Sequence, residues 1–260
     1  MNIRTSLRTL AVASCASAVV VLTACRSHYQ LESVERTRIL IDSQWDDSPD
    51  QAAAQFLAPY KHQVDSVMGP VVGRVAHDMD VSRPESDLSN LLADILVWAA
   101  PKYGEQPDLG IYNMGGIRAA LTRGEVTYGD VLDIAPFENK ISFTTLSGEK
   151  LTELFQQIAK RGGEGVSGSV RLVITADGQL RSATVNGQPV DPAASYRVTT
   201  IDYLLGGNDG MLALSEGTNV IAPQEASNNT RFIIMDYFRE KQAQGQAVDS
   251  RVEGRISVRE

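Results

Sequence analysis

Asn113-Met114-Gly115-Gly116-Ile117-Arg118 closes the short apolar run Leu109 to Tyr112, and its reading decides how the rest of the chain is arranged. A buried strand that stops at an asparagine and two glycines brings bare backbone amides, a carboxamide and a guanidinium around one small space. Such a space suits an anionic or polyhydroxy ligand. The same six residues also fit a plain turn with Arg118 as a solvated surface charge, so their meaning depends on what else converges there.

A second cluster of the same kind lies downstream. The strand expected from Tyr196 to Thr200 delivers Asp202-Tyr203-Leu204-Leu205-Gly206-Gly207-Asn208-Asp209-Gly210. A ring six residues ahead of a carboxylate, with glycines between, lets both face one ligand across a backbone bend. Rings stack on bases and sugars, and carboxylates accept from vicinal hydroxyls. A glycine-rich turn with Tyr203 in the core satisfies the same letters.

Around these clusters the periodicities alternate between strand and helix. Ser48-Pro49 offers a cap and a first-turn proline for a helix reaching Met68, with Ala52, Phe56, Leu57 and Tyr60 at helical spacing. Strands are expected at Val71 to Ala76, Lys140 to Leu146, Val170 to Thr175, Leu180 to Val185 and Arg255 to Val258, and an edge strand at Thr37 to Ile41. Helices are expected at Ser89 to Ala100, Glu149 to Lys160 and Arg231 to Gln244. The element order, mixed strands and helices with several hairpins, implies a mixed α/β layered sandwich of one domain over 48–260. Arg161 to Gly168 reads as a flexible four-glycine loop and lacks the Gly-Lys-Ser/Thr end of a phosphate loop. Ser82-Arg83 runs into a helix N-terminus, where free amides favour anions.

The head of the chain has the marks of a processed leader. Residues 1–24 combine Arg4 and Arg8 with an apolar run from Leu10 to Leu22 that is short for a membrane span. Leu22-Thr23-Ala24-Cys25 resembles a bacterial lipobox, so Cys25 is expected to carry a lipid anchor in the cell envelope, the outer membrane being favoured, with 25–47 as a tether. Without 1–24, which hold two arginines and no acid, the formal net charge of −8 becomes −10. A body that acidic is a poor nucleic-acid binder.

Taken in order, Asn113-x-Gly115-Gly116-Ile117-Arg118, Gly124, Thr127, Pro136-Phe137-x-Asn139, Leu146-x-Gly148, Val166-Ser167-Gly168 and Tyr203 to Gly210 resemble the C-terminal domain of the 5′-nucleotidase and UDP-sugar hydrolase family. The resemblance implies a nucleotide or nucleoside ligand. Arg118 would meet its phosphate and ribose end, Asn113 would help hold the base, Phe137 and Tyr203 would sandwich the base, and Asp209 would take the ribose hydroxyls. Gly115 and Gly116 complete the cradle. The second ring is usually Phe, one family glycine is Asn208 here, and the family's upstream arginine falls in register on Ser82 with Arg83 beside it.

The full-length family houses its chemistry in a separate two-metal phosphoesterase domain. The three histidines, His28, His62 and His77, with no Asp-x-His and no Asn-His-Glu, do not make such a centre. No catalytic residue, metal ligand or cofactor is therefore expected in this chain. Two functions are implied: the substrate-binding half of a split 5′-nucleotidase working with a separately encoded metallophosphatase that holds the divalent metals, or a nucleoside- or nucleotide-binding lipoprotein without catalysis.

Overall fold

The computed structural model describes residues 31–40 and 50–260. The expected leader, Cys25, the cap at Ser48-Pro49 and most of the tether lie outside those residues. The chain divides into two compact units, Met1–Ala54 and Gln55–Glu260. In the first, 31–40 forms neither helix nor strand. The expected edge strand is therefore absent over Thr37 to Leu40, and Ile41 lies outside the described residues. Alternation alone does not make a strand.

Helix α1 spans Gln51–Met68. Asp50 caps it, its carboxylate accepting from the backbone amides of Ala52 (2.9 Å) and Ala53 (3.1 Å). Helix α2, Asp87–Ala99, starts at a reciprocal cap between Ser86 and Ser89. That cap consumes the free amides thought available for an anion beside Ser82 and Arg83. Ser82 instead borders a groove shared with Asp78, Asp80 and Asp87, whose charge repels phosphate.

Three sheets make up the second unit, consistent with the mixed α/β expectation. Strands β1 (Val71–Val75) and β3 (Gly124–Thr127) pair antiparallel. The central sheet has the order β10-β4-β9-β2-β5, built from Thr218–Ile221, Ile141–Ser147, Ser195–Ile201, Leu109–Tyr112 and Gly165–Val166. Strands β2 and β9 run parallel, with Leu109 opposite Val198, whereas β4 pairs antiparallel with β9 along its whole length. A four-stranded sheet, β11-β6-β7-β8, uses Ile256–Val258, Val170–Ile174, Leu180–Val185 and Gln188–Pro189.

Helices close the core over these sheets. All four residues of β2 are buried, as a strand flanked by strands and covered by α2 must be. The helix α4 (Gly148–Lys160) buries Leu151, Leu154, Phe155 and Ile158, the expected apolar stripe. The short helices α3 (Tyr128–Ile134) and α5 (Asp202–Leu205) follow β3 and β9 directly. The last helix, α6, spans Thr230–Ala243 and packs on β1 and α2. Gly73 lets it approach: a methyl there would lie 2.9 Å from Phe238 Cβ.

Two buried charged side chains pin the loops through partners remote in sequence. Arg255 has a side chain only 4% exposed, chelates Asp94 (2.9 and 2.7 Å) and donates to the Val166 carbonyl (2.8 Å). Glu85 accepts from Asn90 Nδ2 at 2.6 Å and from the amide of Glu253 at 2.8 Å. Glu85 thereby ties the start of α2 to the segment before β11.

Candidate functional site

Because β2 and β9 are parallel neighbours, the segments that follow them leave the sheet at the same end. The carboxyl ends of adjacent parallel strands are where α/β folds open a crevice. β2 delivers Asn113 and a 3-10 turn, Met114–Gly116; β9 delivers α5 and then Gly206 to Gly210. Asn113, Gly115, Gly116, Arg118, Phe137, Tyr203 and Asp209 line one cavity of about 320 Å³, together with Asn139. Seven of the eight expected binding residues thus converge, from segments up to 96 positions apart.

Each side chain is held by its own local chemistry. The Asp202 carboxylate accepts from the amides of Lys140 (3.1 Å) and Tyr203 (2.8 Å), which fixes the start of α5 beside β4. Gly207, Asp209 and Gly210 take the left-handed backbone conformation, with φ of 77°, 55° and 73°. The bend is therefore carried by its neighbours and not by Asn208, whose side-chain amide donates to the Tyr203 carbonyl at 2.7 Å. The departure from glycine at this position leaves the turn intact.

Phe137 and Tyr203 remain 46% and 39% exposed, which is unusual for large rings at the wall of a cavity. The Arg118 guanidinium donates to the Gly115 carbonyl (3.2 Å) and stands 5.8 Å from the centre of the Phe137 ring. Asp209 is the hub: its carboxylate accepts from Asn113 Nδ2 (2.8 Å) and the Tyr203 hydroxyl (3.2 Å) and faces Arg161 at 3.7 Å. Loss of solvation, and then the Asp209 charge and hydrogen bond, raise the Tyr203 phenol above its ordinary value. Asn113 Oδ1 is buried and has no partner. A buried acceptor left unpaired in a cavity wall is positioned for a donor from outside the protein.

Arg83 takes a different place. Its guanidinium donates to Glu164 at 2.6 Å, and it is not among the cavity-lining residues. Glu164, with a side chain 0% exposed, also accepts from Arg161 Nε (2.6 Å) and the Met114 amide (2.6 Å). Burial lowers the Arg161 pKa, but its hydrogen bond and charge pairing with Glu164, and then Asp209, raise it overall. The four-glycine segment is consequently a packed buttress and not the flexible loop expected. Gly163, at φ of 113°, lies so close to Pro84 that a Cβ would overlap its carbonyl, and Gly165 approaches the carbonyls of Ser89 and Tyr112. Glu164 and Arg161 were missed because their partners are remote in sequence; the one local signal is the spacing of an arginine and a glutamate three residues apart.

Neither described histidine joins the site. His62 is exposed on α1, and His77 lies between Asp87 and Asp249, 3.4 Å from each. Among the described residues no three His, Cys, Asp or Glu side chains group as ligands for a metal, so a two-metal centre does not fit them. Among those residues, too, no helix is long and apolar enough to cross a membrane.

The sequence and the fold match one family. Residues 71–216, more than half of the chain, fit the model described as "5′-nucleotidase, C-terminal domain", and the chain belongs to that family. It is 27% identical over 169 residues to protein UshA of Escherichia coli (strain K12), covering 62% of this chain and 30% of that one. It is 27% identical over 237 residues to the trifunctional nucleotide phosphoesterase protein YfkN of Bacillus subtilis, covering 83% and 16%. The crystal structure of a 5′-nucleotidase precursor from Thermus thermophilus superposes with a TM-score of 0.69 at 26% identity, covering 82% of this chain and 44% of that one. The chain thus spans less than half the length of these relatives.

Proposed function

We propose that this protein is the nucleotide-binding half of a split 5′-nucleotidase, with phosphoester hydrolysis supplied by a separately encoded metallophosphatase. One observation carries the reading: two half-exposed rings, a carboxylate and a guanidinium line a single cavity at the ends of β2 and β9. A base stacks between Phe137 and Tyr203, the ribose hydroxyls donate to Asp209, and the phosphate end meets Arg118. Asn139 and the free Oδ1 of Asn113 are placed to meet polar edges of the ligand. The divalent metals and the attacking water belong to the partner, and the residues of this chain bind and orient. Cys25 anchors the protein to the cell envelope through its lipid, with the outer membrane preferred, and Cys25→Ser releases it from the membrane fraction. Fatty-acid labelling that survives Cys25→Ser would refute the anchor.

Calorimetry with AMP and adenosine tests the site. Stacking contributes about 1–3 kcal/mol per base, so Phe137→Ala and Tyr203→Ala each weaken binding roughly ten- to a hundredfold. Arg118→Ala costs more for AMP than for adenosine, because only the nucleotide carries the charge that the guanidinium meets. Equal affinities across all four proteins, or no binding by the wild type, overturn the assignment.

A further inference from the structure

Helix α1 presents an apolar stripe that nothing in the described chain covers. Phe56, Leu57, Tyr60, Val64 and Val67 are 52–69% exposed, and the helix buries none of its residues. Leu57, Tyr60, Val64 and Val67 recur at intervals of three, four and three, which places them on one helix face. Contiguous apolar surface of this kind marks a binding face.

The surface continues beyond the helix. Val67 also borders a shallow groove of about 350 Å³ with Pro70, Val72, Tyr128, Phe232 and Met235. Beside Phe232, Arg231 donates to the carbonyls of Ala135 (3.2 Å) and Pro136 (2.7 Å), the two residues that lead into Phe137. Neighbouring residues of α6 thus line the groove and hold the segment that leads into Phe137, a wall residue of the ligand cavity.

We infer that this face docks the phosphoesterase partner. The inference rests on the proposed function, and three observations select that occupant. The family match begins at Val71, directly after α1, and is by description a C-terminal domain. The matched part of the relatives is 30% of UshA and 44% of the Thermus nucleotidase, so the larger part of each lies elsewhere in its chain. α1 stands at the border where that larger part joins, and the groove that continues its bare face is lined by Phe232, next to the arginine that holds the segment leading into Phe137.

Other occupants fit less well. A second copy would bring two chains of net charge −8 together along a seam of about 27 Å, little more than two heptads, which is marginal for helix pairing. A bilayer surface favours helices rich in Lys and Arg, and α1 carries only Lys61 and His62.

The test uses the full chain in its native cells, with a photoreactive benzophenone amino acid in place of Tyr60 and adducts identified by mass spectrometry. The expected product is a covalent adduct with a metal-dependent phosphoesterase, reduced at least fivefold by Leu57→Ser with Val64→Ser. A cross-linked homodimer, a lipid adduct alone, an adduct only with a protein of another class, or no adduct overturns the inference. Both serine substitutions lie on solvent-exposed positions away from the cavity and leave AMP affinity within twofold. Calorimetry of the wild type with AMP separates the failures: absent AMP binding defeats the proposed function, whereas AMP binding without the phosphoesterase adduct defeats only the docking inference.

Discussion

Glu164→Gln isolates the buttress behind the cavity. The substitution keeps volume and shape, so no void forms, and it removes one buried charge that accepts from Arg83, Arg161 and the Met114 amide, each at 2.6 Å. A carboxamide has one acceptor oxygen and cannot serve the two guanidiniums and the amide together. A hydrogen bond to a charged group contributes about 1.5–3 kcal/mol, and breaking a fully buried pair costs about 3–5 kcal/mol. Arg83 and Arg161 are 34% and 30% exposed, so they turn partly to water, and screening reduces their share. The expected loss is about 2–3 kcal/mol, or roughly 5–10 °C in melting temperature for a domain of this size. AMP affinity falls about tenfold in the same variant, because Met114 opens the turn bearing Gly115 and Gly116 and Arg161 leans on Asp209. Thermal melting followed by circular dichroism, with titration calorimetry on the folded protein, measures both effects. A melting temperature within 1 °C of wild type would show that the three contacts do not hold the loops.

Gly116→Ala places a methyl 2.6 Å from Asn113 Oδ1 and should weaken AMP binding more than tenfold with about 1 kcal/mol lost in stability. Gly115→Ala meets only Asp209 Oδ2 at 3.8 Å, so its melting temperature stays near wild type; equal destabilisation by the two would contradict the geometry. Burial pushes the Tyr112 phenol from 10.0 up to about 12. The folded state thus holds that proton more tightly, and its contribution is complete below pH 10 and lost as pH rises through 12, a fall of up to about 3 kcal/mol. Tyr112→Phe removes that part of the alkaline slope, read as urea midpoints at pH 9 and pH 11; an unchanged slope assigns it elsewhere.

What could be read from sequence is what local chemistry decides. Asn113 to Arg118 and Tyr203 to Asp209 are short runs in which glycines and a strand end fix the path, and the two runs line one cavity. The Glu164 partners were not legible, because Arg83 lies 81 residues away and only burial makes a loop glutamate a hub. Arg255 escaped notice for the same reason, its partner Asp94 being 161 residues distant. Thr37 to Leu40 alternates as a strand should but takes neither strand nor helix conformation. The α1 pattern was legible as a helix, and its exposure was not, since amphipathicity tells that a face needs covering and not what covers it.

The hydrogen bonds around Asp209 bear on how the cavity receives a ligand. Asn113, Tyr203 and Arg161 come from three different segments and already fix the carboxylate in the free protein. A carboxylate offers about four lone-pair sites, so two close donors leave room for a pair of vicinal hydroxyls without moving the side chain. Preorganisation of this kind lowers the ordering cost of binding. The rings are the exposed part of the cavity wall, and the Arg118 guanidinium stands over the Phe137 ring. On the proposed function, binding would exchange this arginine–ring contact for base stacking and free the guanidinium for the phosphate, coupling recognition of the two ends of one nucleotide.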